Sequence, residues 1–154
     1  MRSKVGAWNP STIAVTVVRM ANKADHLDWA DRNFELAERL WASDEPAERR
    51  WSAVVAYYAI LHTAHAVAAD LWNDHPQDHF EVRNVILRMD PNRPGLAANV
   101  QEASLISVGA RYIGDNQTAA TWFGASFTDE DEAIDRALEL MRTVVPELKR
   151  MAWG

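Results

Sequence analysis

Two histidine pairs carry the residue types best suited to chemistry. His62 and His65 stand at i,i+3 and His75 and His79 at i,i+4, spacings that set two imidazoles on one helical face as metal ligands. A catalytic metal takes a third ligand, which Asp70, Asp74 or Asp78 would supply. The alternative is a set of hydrogen-bonded core histidines, because His62 and His65 lie within an apolar helical stretch, and Pro76 interrupts a continuous face through His75 and His79. The Glu-x-x-His pattern of a di-iron bundle is absent, and the sequence assigns neither a metal nor a cofactor.

Positive charge falls in two groups. Arg83, Arg88 and Arg93 follow one another, and Arg142, Lys149 and Arg150 gather near the C-terminus. If folding brings Arg83, Arg88, Arg93 or Arg142 beside Arg111, they line a phosphate-binding groove; dispersed, they serve solubility and helix C-terminal dipoles. Arg111 has its own structural alternatives, an i,i+4 pair with Asp115 or a longer reach to Glu102 or Asp135.

Composition narrows the partners. The chain has 154 residues, a formal net charge of −6 and no cysteine. Disulfides, thiolate metal sites and cysteine nucleophiles are excluded, and a reducing cytoplasm is the expected compartment. The acidic balance repels phosphate backbones on average, so nucleic acid must be met by a local basic patch. Residues 1–23 lack the layout of a signal peptide, and the apolar run Ala53 to Leu71 is expected to be too short, too alanine-rich and too closely flanked by charge for a membrane span. Seven tryptophans suit large helix contacts or a surface that pairs with a second copy.

The same run positions the histidines. It is apolar on nearly every side, as the buried centre of a bundle must be. Before it, Leu27, Ala30, Phe34, Ala37 and Trp41 recur at helical spacing over Asp25 to about Ala42, and Pro46 opens the next helix, which runs to Trp72. Asp78 caps a shorter helix to about Arg88 that buries Phe80, Val85 and Ile86 or Leu87. A fourth helix spans about Leu96 to Ile113. Thr128 caps a last one with buried Ile134, Ala137, Leu138, Met141, Val144, Val145 and Leu148, which Pro146 should kink or end near Arg142 to Val145. The result is an all-α, antiparallel four- to five-helix bundle over residues 24–154 with an extension at 1–23. In that extension Ile13, Val15 and Val17 alternate as in a strand, while Ser11 fits equally well as the cap of a first helix to Met20.

Three pieces of this layout resemble the HEPN domains, small prokaryotic helical bundles that include toxin ribonucleases. Ala56-Tyr57-Tyr58-Ala59-Ile60-Leu61-His62, followed by Ala64 and Ala66, is similar to the family's second-helix pattern. Asp78-His79-Phe80-Glu81-Val82 resembles the Thr-His start of its following helix, with Asp78 in place of Thr. Arg111 to Asn116 resembles its arginine element, which in the ribonuclease branch ends in histidine. Order and spacing together give the likeness its specificity, across about Asp25 to Val145. Arg19 and His26 also match the arginine-to-histidine spacing, but they precede the first bundle helix and chance accounts for them.

The resemblance implies a bundle that forms a homodimer with its arginine elements facing across a cleft. It also implies RNA or nucleotide binding in defence or toxin–antitoxin systems, with an antitoxin or a nucleotidyltransferase-type protein as partner. Arg111 would hold phosphate, with Asp115 and Asn116 orienting it. Asn116 replaces the histidine that would move a proton, and an amide cannot take one up near neutral pH, so metal-independent endoribonuclease activity is expected to be lost or weakened. Thr118 stands where some members carry a tyrosine modified by the partner enzyme. Two other classes remain: a protein-interaction module using Trp8, Trp122 or Trp153, and a metal-dependent enzyme using His62, His65, His75 or His79.

Overall fold

The computed structural model describes residues 20–89, 91, 93–112, 126–127 and 129–154, and these form an all-α bundle. The expectations for residues 1–19, and those for Asp115, Asn116, Thr118, Trp122 and Thr128, lie outside the described residues. Among the described residues five helices follow in order: α1 (Lys23–Trp41), α2 (Pro46–Trp72), α3 (His79–Met89), α4 (Pro94–Tyr112) and α5 (Glu130–Trp153).

Local sequence explains most boundaries. Asn22 and Asp25 make a reciprocal capping box, each side chain accepting the other's backbone N–H at 3.0 and 2.9 Å, so α1 begins two residues before the first expected position. Pro46 opens α2, where a missing N–H costs nothing, and Asn73 closes it in the left-handed region at φ 48°. Asp78 caps α3 as expected, accepting the Glu81 N–H at 2.8 Å.

Ion pairs between helices read out the directions of packing. Arg49 meets Asp131 at the start of α2 and α5, and Asp70 accepts from Trp153 at their ends, so these two helices run parallel. α1 opposes both: Glu38 pairs with Arg142 and Asp31 with Lys149. α4 opposes α5 through Glu102 with Arg136 and Arg93 with Glu147. α2 touches all four other helices.

That central place accounts for its composition. Ala53, Ala56, Ala59, Ala64, Ala66 and Ala68 are fully buried, and their small side chains let neighbouring helices approach closely around Val54, Ile60 and Val67. Ile106 from α4 and Leu138, Met141 and Leu148 from α5 complete the core. At 27 residues α2 is long and apolar enough to cross a membrane by length and composition, contrary to the expectation that it is too short; most of its surface is covered by the other helices.

One further expectation is corrected and two alternatives are resolved. Phe80 is 67% exposed, because α3 buries Val82, Val85 and Ile86 and Phe80 stands two residues before Val82, about 200° around the helix. Leu87 is exposed as well, which leaves Ile86 as the buried member of that pair. Pro146 lies inside α5, which continues to Trp153. Pro146 and Arg142 are both exposed, so water serves the carbonyl that loses its donor, while buried Val144, Val145 and Leu148 hold the helix on both sides.

The N-cap of α5 is Asp129, whose carboxylate accepts the Glu132 N–H at 2.7 Å. Asp129→Ala should lower stability by about 1 kcal/mol, read as a lower urea midpoint with an unchanged slope.

Candidate functional site

Arg111 stands in the last turn of α4, where the helix dipole favours a cation. Its guanidinium donates to the Tyr58 hydroxyl of α2 at 3.0 Å, and its Cζ sits 5.5 Å from the Tyr58 ring centroid, within range of a cation–π contact. Both side chains are half-buried. The neighbouring Tyr57 points into the core, where burial pushes its phenol up and a hydrogen bond with Ser104 of α4 opposes that shift.

One turn along α2 from Tyr58 stands His62, with ring centroids 6.4 Å apart. His26 of α1 meets it, Nδ1 to Nδ1 at 3.3 Å. Such a bond requires one ring to donate N–H and the other to offer a lone pair, so at least one of the two is neutral. His65 stacks on His26 at 4.9 Å with an interplanar angle of 15°, and Trp29 meets His26 edge-on at 5.3 Å.

Burial holds both His26 and His62 below the ordinary imidazole value. For His26 the nearby His75 lowers it further and Asp25 pulls it back; for His62 the facing His26 adds to burial. Both rings are therefore uncharged at neutral pH. Beside them a cleft of about 140 Å³ opens between Tyr58, Leu61, His65, Gln77 and Asp78. Positions 58, 62 and 65 fall at i, i+4 and i+7, so the tyrosine and both histidines share one face of α2.

The structure thus joins Arg111 to the tyrosine–histidine segment, a link across 53 residues that no local spacing announces. It also adds His26, which the sequence offers only in a chance match. A signal was available: His26 lies four residues before buried Ala30, on the face that α1 turns to α2.

The other arginines are distributed. Arg88 pairs with Asp74 at 3.1 Å over the Trp72 ring, Arg93 pairs with Glu147, and Arg142 makes a two-pronged pair with Glu38 at 2.7 and 2.6 Å over Trp41. Arg83 is exposed and lines a groove of about 230 Å³ with Tyr57, Phe80, Ser104 and Leu105. Arg83 and Arg111 are thereby set near successive tyrosines of α2.

Of the carboxylates proposed as partners of Arg111, Glu102 and Asp135 are engaged by other side chains. Glu102 takes both prongs of Arg136, and Asp135 accepts from the Trp41 indole at 2.7 Å. Asp70 accepts from Lys23 and from the Trp153 indole, which fixes Trp153 within the bundle. Among the described residues no group of three or more histidines and carboxylates is arranged to hold a metal ion. A wider concavity of about 670 Å³ sets six carboxylates, Glu102, Asp129, Asp131, Glu132, Asp135 and Glu139, against Arg136 alone, and this net negative charge opposes a phosphate ligand.

Comparison with protein-family models, curated proteins and solved structures finds no match to this chain.

Proposed function

We propose that this chain is a HEPN-like, RNA- or nucleotide-binding protein of prokaryotic defence or toxin–antitoxin systems, acting in the cytoplasm as a homodimer. Arg111 is its phosphate contact. The observation that carries this reading is the half-buried guanidinium fixed on the hydroxyl of Tyr58, a residue that itself lines a cleft. A planar, permanently charged group held in one orientation by an aromatic neighbour suits two-pronged recognition of phosphate oxygens. The all-α bundle with the tyrosine–histidine segment on its central helix supports the resemblance from which the biological setting is taken.

The deciding measurement is binding of labelled single-stranded RNA and of nucleoside triphosphates, by anisotropy at fixed salt. Arg111→Ala should weaken affinity about tenfold or more, since a charge-assisted hydrogen bond contributes roughly 1.5–3 kcal/mol, and Arg111→Lys should restore part of it. If the unaltered protein binds neither ligand, or Arg111→Ala binds as well as the parent, the reading fails.

A second reading, a protein-interaction module, draws on exposed apolar side chains: Phe80 and Leu87 on α3, Leu105 and Val108 on α4. An associated protein that binds Arg111→Ala undiminished would favour it.

A further inference from the structure

We propose that the groove between α3 and α4 docks an amphipathic helix of another protein, whose apolar stripe fills the groove and whose Asp or Glu on that stripe meets Arg83. This docking role rests on the second reading above, the protein-interaction module, and needs nothing of Arg111.

The outward side of α4 lacks the charge that a water-facing helix carries. Ala98, Gln101, Leu105 and Val108 are exposed at i, i+3, i+7 and i+10, so they form one uncharged face. The two charged residues of α4 are turned to other helices: Glu102 pairs with Arg136 of α5, and Arg111 donates to Tyr58 of α2. On α3 the row Phe80, Arg83 and Leu87 is exposed at i, i+3 and i+7. Glu81 and Arg88 line a different concavity with Asp74 and His75, which leaves Arg83 as the charge on the apolar row. Four of the eight large apolar side chains exposed among the described residues therefore stand on two helices packed against each other, a concentration that marks an interaction surface.

Between the two rows runs the groove of about 230 Å³, with Phe80, Arg83, Gln101 and Leu105 at its walls and buried Tyr57 and Val100 beneath. It has room for one large apolar side chain, the kind of anchor on which a helix laid in a groove depends. Phe80 and Leu87 are two turns apart, about 10.5 Å along α3, which matches apolar residues at i and i+7 of a guest helix alongside. Arg83 lies between them, opposite a guest residue at i+3 or i+4.

Charge selects the occupant. Arg83 makes no ion pair among the described residues, whereas Arg88, Arg93, Arg136 and Arg142 each meet a carboxylate. A second copy joined through the same face brings another Arg83 and no carboxylate on either row, so both guanidinium groups stay unanswered. Nucleic acid needs several cations and finds one on this face. A helix with Asp or Glu among its apolar anchors supplies the missing charge, and the surrounding apolar contact excludes water from the pair.

The test selects a display library of helical peptides, randomised on one face, against the full chain, and measures the enriched sequences as free peptides by anisotropy. They should carry apolar residues at i and i+7 with Asp or Glu between them and bind with a Kd of about 100 μM or tighter. Phe80→Ala and Arg83→Glu should each weaken binding about tenfold or more; both side chains are exposed, so neither change disturbs the core. Replacing the peptide carboxylate by Lys should weaken binding to the parent and restore it to Arg83→Glu, a reciprocal result that misfolding cannot produce.

Peptides that bind equally well to Phe80→Ala and Arg83→Glu would overturn the groove as the docking site and leave the interaction module standing. Failure of every peptide to bind would overturn both. A sedimentation measurement showing a dimer that Phe80→Ala dissociates would assign the face to a second copy and overturn the proposal as well.

Discussion

Replacing Ile60 by alanine should lower the free energy of unfolding by about 2–5 kcal/mol, the largest effect expected of any single core truncation here. Ile60 is fully buried on α2, the helix that touches every other element. Its surroundings make relaxation difficult. Ala56, Ala59 and Ala64 already bring the neighbouring helices close to the α2 backbone, so little slack remains to close the void. A domain of this size is stable by roughly 5–15 kcal/mol, and the truncation removes a large share of that. The loss should appear as a lower urea midpoint with an unchanged slope in far-UV circular dichroism. A loss under about 1 kcal/mol would show that the site collapses freely, and that α2 is not the tightly enclosed axis described above.

The same crowding predicts the opposite failure. Ala64→Leu inserts side-chain volume where a helix contact leaves none and should cost about 1–3 kcal/mol. Substitution by serine, close to alanine in size, should cost less than leucine.

Much of this frame was legible in the sequence because it rests on periodicity and punctuation. The long apolar run marks α2, Pro46 marks its start, and Asp78 caps α3 as its chemistry suggests. A local rule falls short where a tertiary one competes with it. Pro146 does not end α5, because buried valines and a leucine flank it on the core side. Hydrophobicity alone points Phe80 inward, although its angular position on α3 places it opposite Val82.

The candidate site was legible only in parts. Tyr58, His62 and Arg111 each stood out by residue type, yet their meeting depends on how α4 crosses α2, which spacing along one helix does not encode. Apolar-face counting passes over a histidine such as His26. Its spacing from Ala30 and Ala37 sets it on the buried stripe all the same. The arginines invited a single basic groove. Instead Arg93 and Arg142 meet carboxylates brought from distant parts of the chain, and Arg88 meets Asp74 just beyond the end of α2, so their positive charge is committed to ion pairs within the bundle.

The imidazole cluster should make stability depend on pH in a window of its own. His26 and His62 are held below the ordinary imidazole value in the folded chain, first by burial, and then by His75 for His26 and by His26 for His62. The unfolded chain therefore binds more protons than the folded one as pH falls past the unfolded value of about 6.5. Stability is full above that point and declines below it, at no more than about 1.4 kcal/mol per pH unit for each imidazole, until the native values are passed. Asp25 opposes the trend at His26, and His65 stacks against the same ring, so both belong to the titrating group's surroundings. Carboxylates act in a separate range: Glu38 is held low by its hydrogen bond from Arg142 and Asp70 by those from Trp153 and Lys23, so their contributions persist above pH 5. Urea unfolding between about pH 7.5 and 5 should show falling midpoints for the parent chain and a flatter dependence for the His26→Gln, His62→Gln double variant. A parent chain with constant stability across that range would mean that the two rings are solvated in solution and do not form the buried pair.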